Sequence, residues 1–205
     1  MARPVKRSAV TRRASAPYIS PLAEKIIRTI EEETQDPQFA RSLYFSPTAL
    51  THIKRTIAAG GTIVVDTQLM EADFNIKLLE GTNAQIKCFI DDDEVVKLAQ
   101  IRRTTRAEIA VDIALSLPGP KFFVIGSAPA ALNRILVRRK MEPLSDVCVL
   151  AAPCGFATVV QLKEKLRDSD MAYIVTRGKM GGVSQTKHLL NTILKAIQEE
   201  KQQEQ

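Results

Sequence analysis

Five short apolar runs punctuate the chain: "TIVVD" at 62–66, "IKCFI" at 86–90, "FFVIG" at 122–126, "VCVLA" at 147–151 and "AYIVT" at 172–176. They are apolar at consecutive rather than alternate positions and rich in β-branched and aromatic residues. That pattern predicts strands buried on both faces, as in a parallel sheet. Between them apolar positions recur at helical spacing. "SPTALTHIKRTIAAG" predicts a helix with Ser46 as N-cap, Pro47 at its first position and Gly60 at its stop. "DDDEVVKLAQI" puts its acids in the first turn, where the helix dipole favours them. "TTRAEIAVDIALSL" runs until "PGP" at 118–120 breaks it. "APAALNRILVRRK", "TVVQLKEKLRDSD" and "GGVSQTKHLLNTILKAIQEEKQ" follow the last three strands, and an amphipathic helix at 20–33 precedes everything.

Strand–helix alternation of this kind predicts an α/β fold: a three-layer α/β/α arrangement with a mainly parallel central sheet of about five strands and right-handed crossovers. No internal repeat is visible. The pattern fits one domain over residues 20–198, preceded by a disordered arm over 1–19. In such folds ligands bind beyond the carboxyl ends of the strands.

Charge sharpens the division. Of a net charge of +6, +5 comes from Arg3, Lys6, Arg7, Arg12 and Arg13, with no acid before Glu24. The remaining body is nearly neutral, which argues against nucleic acid as the main partner. No apolar run approaches a membrane span, and the N-terminus lacks the apolar core of a signal peptide, so a cytoplasmic location is expected. The arm, rich in Arg and free of acids, also leaves a transit peptide open. Cys88, Cys148 and Cys154 form no metal-ligand spacing with each other or with His52 and His188. Cys88 and Cys148 lie in apolar runs and are expected as small buried hydrophobes.

The loops predicted at the carboxyl ends carry the chemistry. "DTQLM" follows the first strand, "GSAPAAL" the third, "APCGFATV" the fourth and "RGKMGG" the fifth, and the helix start "RRTTRAE" can join them. Gly126, Ser127, Pro153 and Gly155 let a ligand approach the backbone, and a helix N-terminus can hold a carboxylate. "RGKMGG" lacks the GK[ST] of a Walker A loop, and the chain has no GxGxxG, which weighs against nucleotides. Arg177, Lys179 and Arg106 supply cations, with Arg102 and Arg103 near. The implied ligand is acidic, broad and partly apolar. Lys163, near the second turn of its helix, reads on its own as a surface charge.

"FSPTAL", "AAGGTIVVDTQLM", "TTRAEIA", "IGSAPAAL", "PCGFATVVQLKEKL", "YIVTRGKMGG" and Asn191 beyond resemble, in order and spacing, the precorrin-8X methylmutase family, from about Pro21 to Asn191. The resemblance implies an α/β homodimer acting on a tetrapyrrole of cobalamin biosynthesis. A methyl group moves from carbon 11 to carbon 12 of the macrocycle, and no metal or organic cofactor is required. The ring's acetate and propionate arms would be the anions. The substrate-binding residues it implies are Asp66, Thr67, Met70, Thr105, Arg106, Ser127, Gly155, Lys163, Arg177, Lys179, Gly181 and Gly182.

The family's catalytic histidine, a proton donor to the ring, falls on Glu32 when the chain is anchored at Asp36-Pro37. Ser127 replaces an Asn, Gln161 and Leu162 precede the retained Lys163 in place of Glu-Ser, and Val183 replaces a small serine. A carboxyl group buried beside an apolar ligand becomes a proton donor near neutrality, whereas an exposed one in "EEE" has no such role. Two readings follow: an isomerase with Glu32 as its candidate catalytic residue, or a protein of the same fold that holds or channels a tetrapyrrole without chemistry.

Overall fold

A computed structural model describes residues 19–203; the predicted arm, but for Ile19, lies outside them. Nine α-helices are assigned among these residues: α1 (Pro21–Thr34), α2 (Pro37–Arg41), α3 (Ala49–Ala58), α4 (Gln68–Ala72), α5 (Asp93–Arg102), α6 (Arg106–Ser116), α7 (Pro129–Met141), α8 (Ala157–Arg167) and α9 (Val183–Gln203). The strands are β1 (Leu43–Phe45), β2 (Thr62–Val65), β3 (Gln85–Lys87), β4 (Lys121–Ile125), β5 (Val147–Ala151) and β6 (Ala172–Thr176). A single 3₁₀ turn spans Ile76–Leu79.

The strands form one sheet in the order β1-β6-β5-β4-β2-β3. All neighbours are parallel except β1, which runs antiparallel to β6 with Leu43 opposite Thr176. Successive side chains of each central strand enter opposite cores. Phe122, Val124, Cys148 and Leu150 join α1, α3 and α9 on one face. Phe123, Ile125, Val149 and Ala151 join α5, α6, α7 and α8 on the other. This is the three-layer arrangement predicted, and the consecutive apolar runs are its cause: every position of β2, β4 and β5 is buried.

The helix ends follow local chemistry. Ser20 Oγ accepts from the Ala23 N–H at 3.2 Å and Pro21 opens α1. Ile26 and Ile30, one turn apart, are fully buried on its inner face. Thr105 and Glu108 make a reciprocal capping box at the start of α6. α1 lies antiparallel to α9: Lys25 pairs with Glu199 at one end, and Glu33 sits 3.1 Å from His188 at the other.

Three expectations are corrected. The sheet has six strands, because β1 is a three-residue edge strand too short to register as a run. β3 ends at Lys87, before Cys88 and Phe89, which are buried beyond the ladder. α3 begins at Ala49 with Thr48 as its cap, since the Ser46 hydroxyl is engaged elsewhere, accepting from the Tyr173 N–H at 2.9 Å. α9 runs to Gln203, as the predicted closing helix required. Gly60 does follow the end of α3, in the left-handed region at φ 67°. Cys88 and Cys148 are buried, Cys154 exposed.

Candidate active site at the carboxyl edge of the sheet

The parallel strands end on one edge at Val65, Ile125, Ala151 and Thr176, so the loops after β2, β4, β5 and β6 converge there. α6 joins them: Ala107 and Ala110 line a small cavity with Asp66, Val65 and Ile125. The carboxyl end of α1, with Glu32, reaches the same edge beside the amino end of α9.

Asp66 is turned into the protein. Its carboxylate accepts from the Gly126 N–H at 3.1 Å, the Ser127 N–H at 2.7 Å and the Ala128 N–H at 2.6 Å. Ala128 is the N-cap of α7 and Gly126 and Ser127 lead into it, so these donors stand where a ligand carboxylate was expected. The expectation is corrected: an internal acid from the neighbouring strand already occupies that seat. Burial pushes the Asp66 carboxyl upward, and the three N–H donors oppose the shift.

The reading of Lys163 as a surface charge is also corrected, because the residue is 1% exposed. Its ammonium donates to Thr176 Oγ1 at 3.1 Å and to the Met180 carbonyl at 2.9 Å. The Thr176 hydroxyl in turn donates to the same carbonyl at 2.7 Å. Desolvation pushes the ammonium down to about 8, against weaker opposing effects of Cys154 and Glu164. The signal was available: Lys163 falls on the inward stripe Val159, Leu162, Lys163, Leu166, at spacing i, i+3, i+4, i+7.

The loop that Lys163 holds is seated from beneath as well. The Gly182 N–H donates to the Ala152 carbonyl at 2.8 Å. Gly181, at φ 129°, passes so close that an added Cβ would lie 2.0 Å from that carbonyl oxygen. Thr186 at the start of α9 donates to the Gly182 carbonyl at 2.7 Å and packs against Gly126. With its base fixed, the loop presents Arg177 and Lys179 to solvent. Neither has a carboxylate partner among the described residues.

The remaining predicted residues divide. Arg106 is exposed at the edge but pairs with Asp91 at 2.8 Å. Ser127 and Thr105 are exposed, although the Thr105 hydroxyl serves the α6 cap. Thr67 caps α4, accepting from the Met70 N–H at 3.3 Å. Met70 itself is fully buried in the core, which corrects its reading as a ligand contact. Gly155, with φ 156°, leaves no room for a Cβ, which would lie 2.6 Å from Val159 Cγ2. Glu32 is on the surface, its side chain 69% exposed and 3.9 Å from Arg28. The burial that would make it a proton donor is absent from the isolated chain.

One residue escaped the sequence reading. Phe156 is 81% exposed at the start of α8, with Lys179 Nζ 5.8 Å from its ring centroid. A phenyl ring displayed beside the exposed Lys179, with Arg177 exposed on the same loop, offers an apolar surface and charge together. The edge thus suits a broad, flat, polyanionic molecule. The signal was the phenylalanine directly after Gly155, ahead of the first helical residue.

Comparison with known proteins agrees. A model of the precorrin-8X methylmutase family matches residues 6–196. The cobalt-precorrin-8 methylmutase of Salmonella typhimurium is 31% identical over 89% of this chain and 85% of its own length. The precorrin-8X methylmutase of Pseudomonas aeruginosa is 27% identical over 74% of this chain and 73% of its own. The solved precorrin-8X methylmutase of Thermus thermophilus superposes with a TM-score of 0.77 at 27% identity, over 92% of this chain and 91% of that one. Fold, edge chemistry and relatives converge: the chain belongs to the precorrin-8X methylmutase family, the methyl-shifting isomerases of cobalamin biosynthesis.

Proposed function

We propose that the chain isomerises a precorrin-8 tetrapyrrole at the carboxyl edge of its sheet, with Arg177 and Lys179 gripping the carboxylate arms of the ring. The observation that carries this is the pair of exposed cations on a loop fixed at its base, beside an exposed Phe156. Charge-assisted hydrogen bonds from a guanidinium suit acetate and propionate groups. Arg106 joins them by exchanging Asp91 for a substrate arm, and Thr67, Thr105, Ser127, Gly155, Gly181 and Gly182 shape the cleft. The methylmutase names of the relatives support catalysis over mere holding or channelling.

The methyl shift needs a proton donor near the macrocycle, and Glu32 occupies the corresponding place on α1. Its exposure in the single chain becomes compatible with that role once a second copy and the bound ring cover this edge. We therefore place the pocket near the interface of a homodimer. The enzyme works in the cytoplasm; among the described residues no helix is long and apolar enough to cross a membrane.

The test is anaerobic incubation with precorrin-8X and, separately, cobalt-precorrin-8, followed by absorption spectroscopy. Product formation with either supports the reading, and its absence with both refutes it. Arg177→Ala is expected to weaken tetrapyrrole binding by about 1.5–3 kcal/mol, measured by calorimetry. Unchanged affinity in a folded variant removes Arg177 from the site.

A further inference from the structure

We propose that Lys163 is a positioning residue for the substrate: it locks the loop 177–180 shut from below and so fixes the spacing of Arg177 and Lys179. The inference rests on the substrate reading above but is testable without it.

Three atoms carry it. Lys163 Nζ, Thr176 Oγ1 and the Met180 carbonyl oxygen are mutually hydrogen-bonded at 3.1, 2.9 and 2.7 Å. Thr176 is the last residue of β6 and Met180 lies four residues on, so the triangle joins both feet of the loop that bears the two cations. Lys163 approaches from α8, a different element, and makes the closure tertiary rather than local.

Filling the space alone does not explain a lysine. A leucine or methionine would occupy it without the cost of burying an amine. No carboxylate among the described residues lies within ion-pair distance of Lys163. Its two acceptors are a hydroxyl and a peptide carbonyl. A neutral amine has two N–H donors and an ammonium three, so either form sustains both bonds. The group acts as a cross-link whose hold on the loop survives loss of its charge. Arg177 has its own anchor at the outer foot, where its N–H donates to the Ser42 carbonyl at 2.7 Å. Both feet being fixed, the loop's freedom is confined to its tip.

Arg177 and Lys179 are themselves trypsin sites, which gives a direct measure of loop opening. In Lys163→Met, cleavage after these two residues, followed by mass spectrometry under native conditions, is expected to accelerate about tenfold through local opening. Thr176→Val removes the triangle from its other corner and is expected to do the same, while Thr176→Ser, which keeps the hydroxyl, restores protection. KM for the tetrapyrrole should rise several-fold in the two opening variants with kcat changed less, because the cations bind but do not react. Lys121→Met, at the opposite edge, should leave both readouts unchanged. If Lys163→Met does not fold, the Thr176 pair decides. Wild-type cleavage rates in the folded opening variants overturn the inference, whatever their activity. Faster cleavage with unchanged KM also overturns the positioning role. In that case the cross-link remains, and the assignment of Arg177 and Lys179 to the substrate is what fails.

Discussion

Two buried lysines sit at opposite edges of the sheet and use the same device. Lys121, the first residue of β4, donates to the carbonyls of Leu117 and Gly119, tying down the turn that precedes its own strand. Lys163 donates to Thr176 and Met180 at the carboxyl edge. Burial lowers both ammonium groups from their ordinary range. The difference lies in what each tied loop displays. The turn at 117–120 reads "LPGP", with no polar side chain, whereas the loop at 177–180 reads "RGKM". One lysine therefore stabilises a connection and the other stabilises a display of charge. A buried amine is not by itself a functional signal; the exposed residues on the segment it holds make it one.

The sharpest way to separate the edges is to supply chemistry at one of them. Glu32→His places a donor tuned near neutral pH on α1, and a positioned general acid is worth about 10²–10⁴ in rate, or roughly 3–5 kcal/mol of barrier. The expected outcome is faster methyl shift on precorrin-8X in single-turnover absorption measurements. Native turnover that the substitution fails to raise would show that another group already supplies the proton.

Next in size is a paired glycine test. Gly119 and Gly181 both have positive φ, at 77° and 129°. A Cβ at Gly119 meets nothing within 4 Å, but at Gly181 it meets the Ala152 carbonyl at 2.0 Å. Gly119→Ala should cost about 1 kcal/mol, the backbone strain alone. Gly181→Ala should cost about 2–4 kcal/mol in urea unfolding, since overpacking adds to strain. Equal losses would mean that the carboxyl edge is no more tightly constructed than the amino edge.

The smallest effect is a slope. Lys163 titrates at about 8 in the fold against 10.5 for an ordinary lysine. Between those values the unfolded chain holds the proton and the folded chain does not, so stability rises with pH through that window. The rise is at most about 1.4 kcal/mol per pH unit. Wild type should gain on Lys163→Met from pH 8 to 10 in denaturant unfolding. Lys121 is present in both proteins and cancels from the difference. A flat difference would show that the buried amine keeps its ordinary affinity for protons.

What the sequence revealed depended on how many residues shared a signal. Runs such as "FFVIG" and "VCVLA" repeat one preference over five positions, and those strands were legible. β1 offers three residues, and its pairing with β6 is set by tertiary contact. The candidate site divided the same way. Arg177 and Lys179 were legible as exposed cations because charge after a buried strand stands out, whereas the close approach of Gly181 to the Ala152 carbonyl was not foreseen. The ligand seat at the head of α7 was misjudged because nothing in its own sequence announces Asp66, and Lys163 because a charged letter suggests an exposed group. Their burial depends on partners 60 and 13 residues away, at Gly126 and Thr176. Glu32 is the reverse case: anchoring at Asp36-Pro37 gave its place on α1, and the side chain is as exposed as a residue in "EEE" suggests.

Asp66 at the head of α7 has a consequence for selectivity. A carboxylate on the same polypeptide competes for those three N–H groups as a tethered inhibitor would, at an effective concentration of order millimolar or more. An acetate arriving from solution must displace a group that never diffuses away, so these three N–H groups are not open to short anions. In the proposed function recognition falls to Arg177 and Lys179, on a loop several residues from the start of α9, which can follow carboxylates spread around the rim of a large ring. The plugged seat therefore does not collect small anions as a bare run of N–H groups would, and a ligand of the proposed kind has to be wide enough to reach Arg177 and Lys179 together.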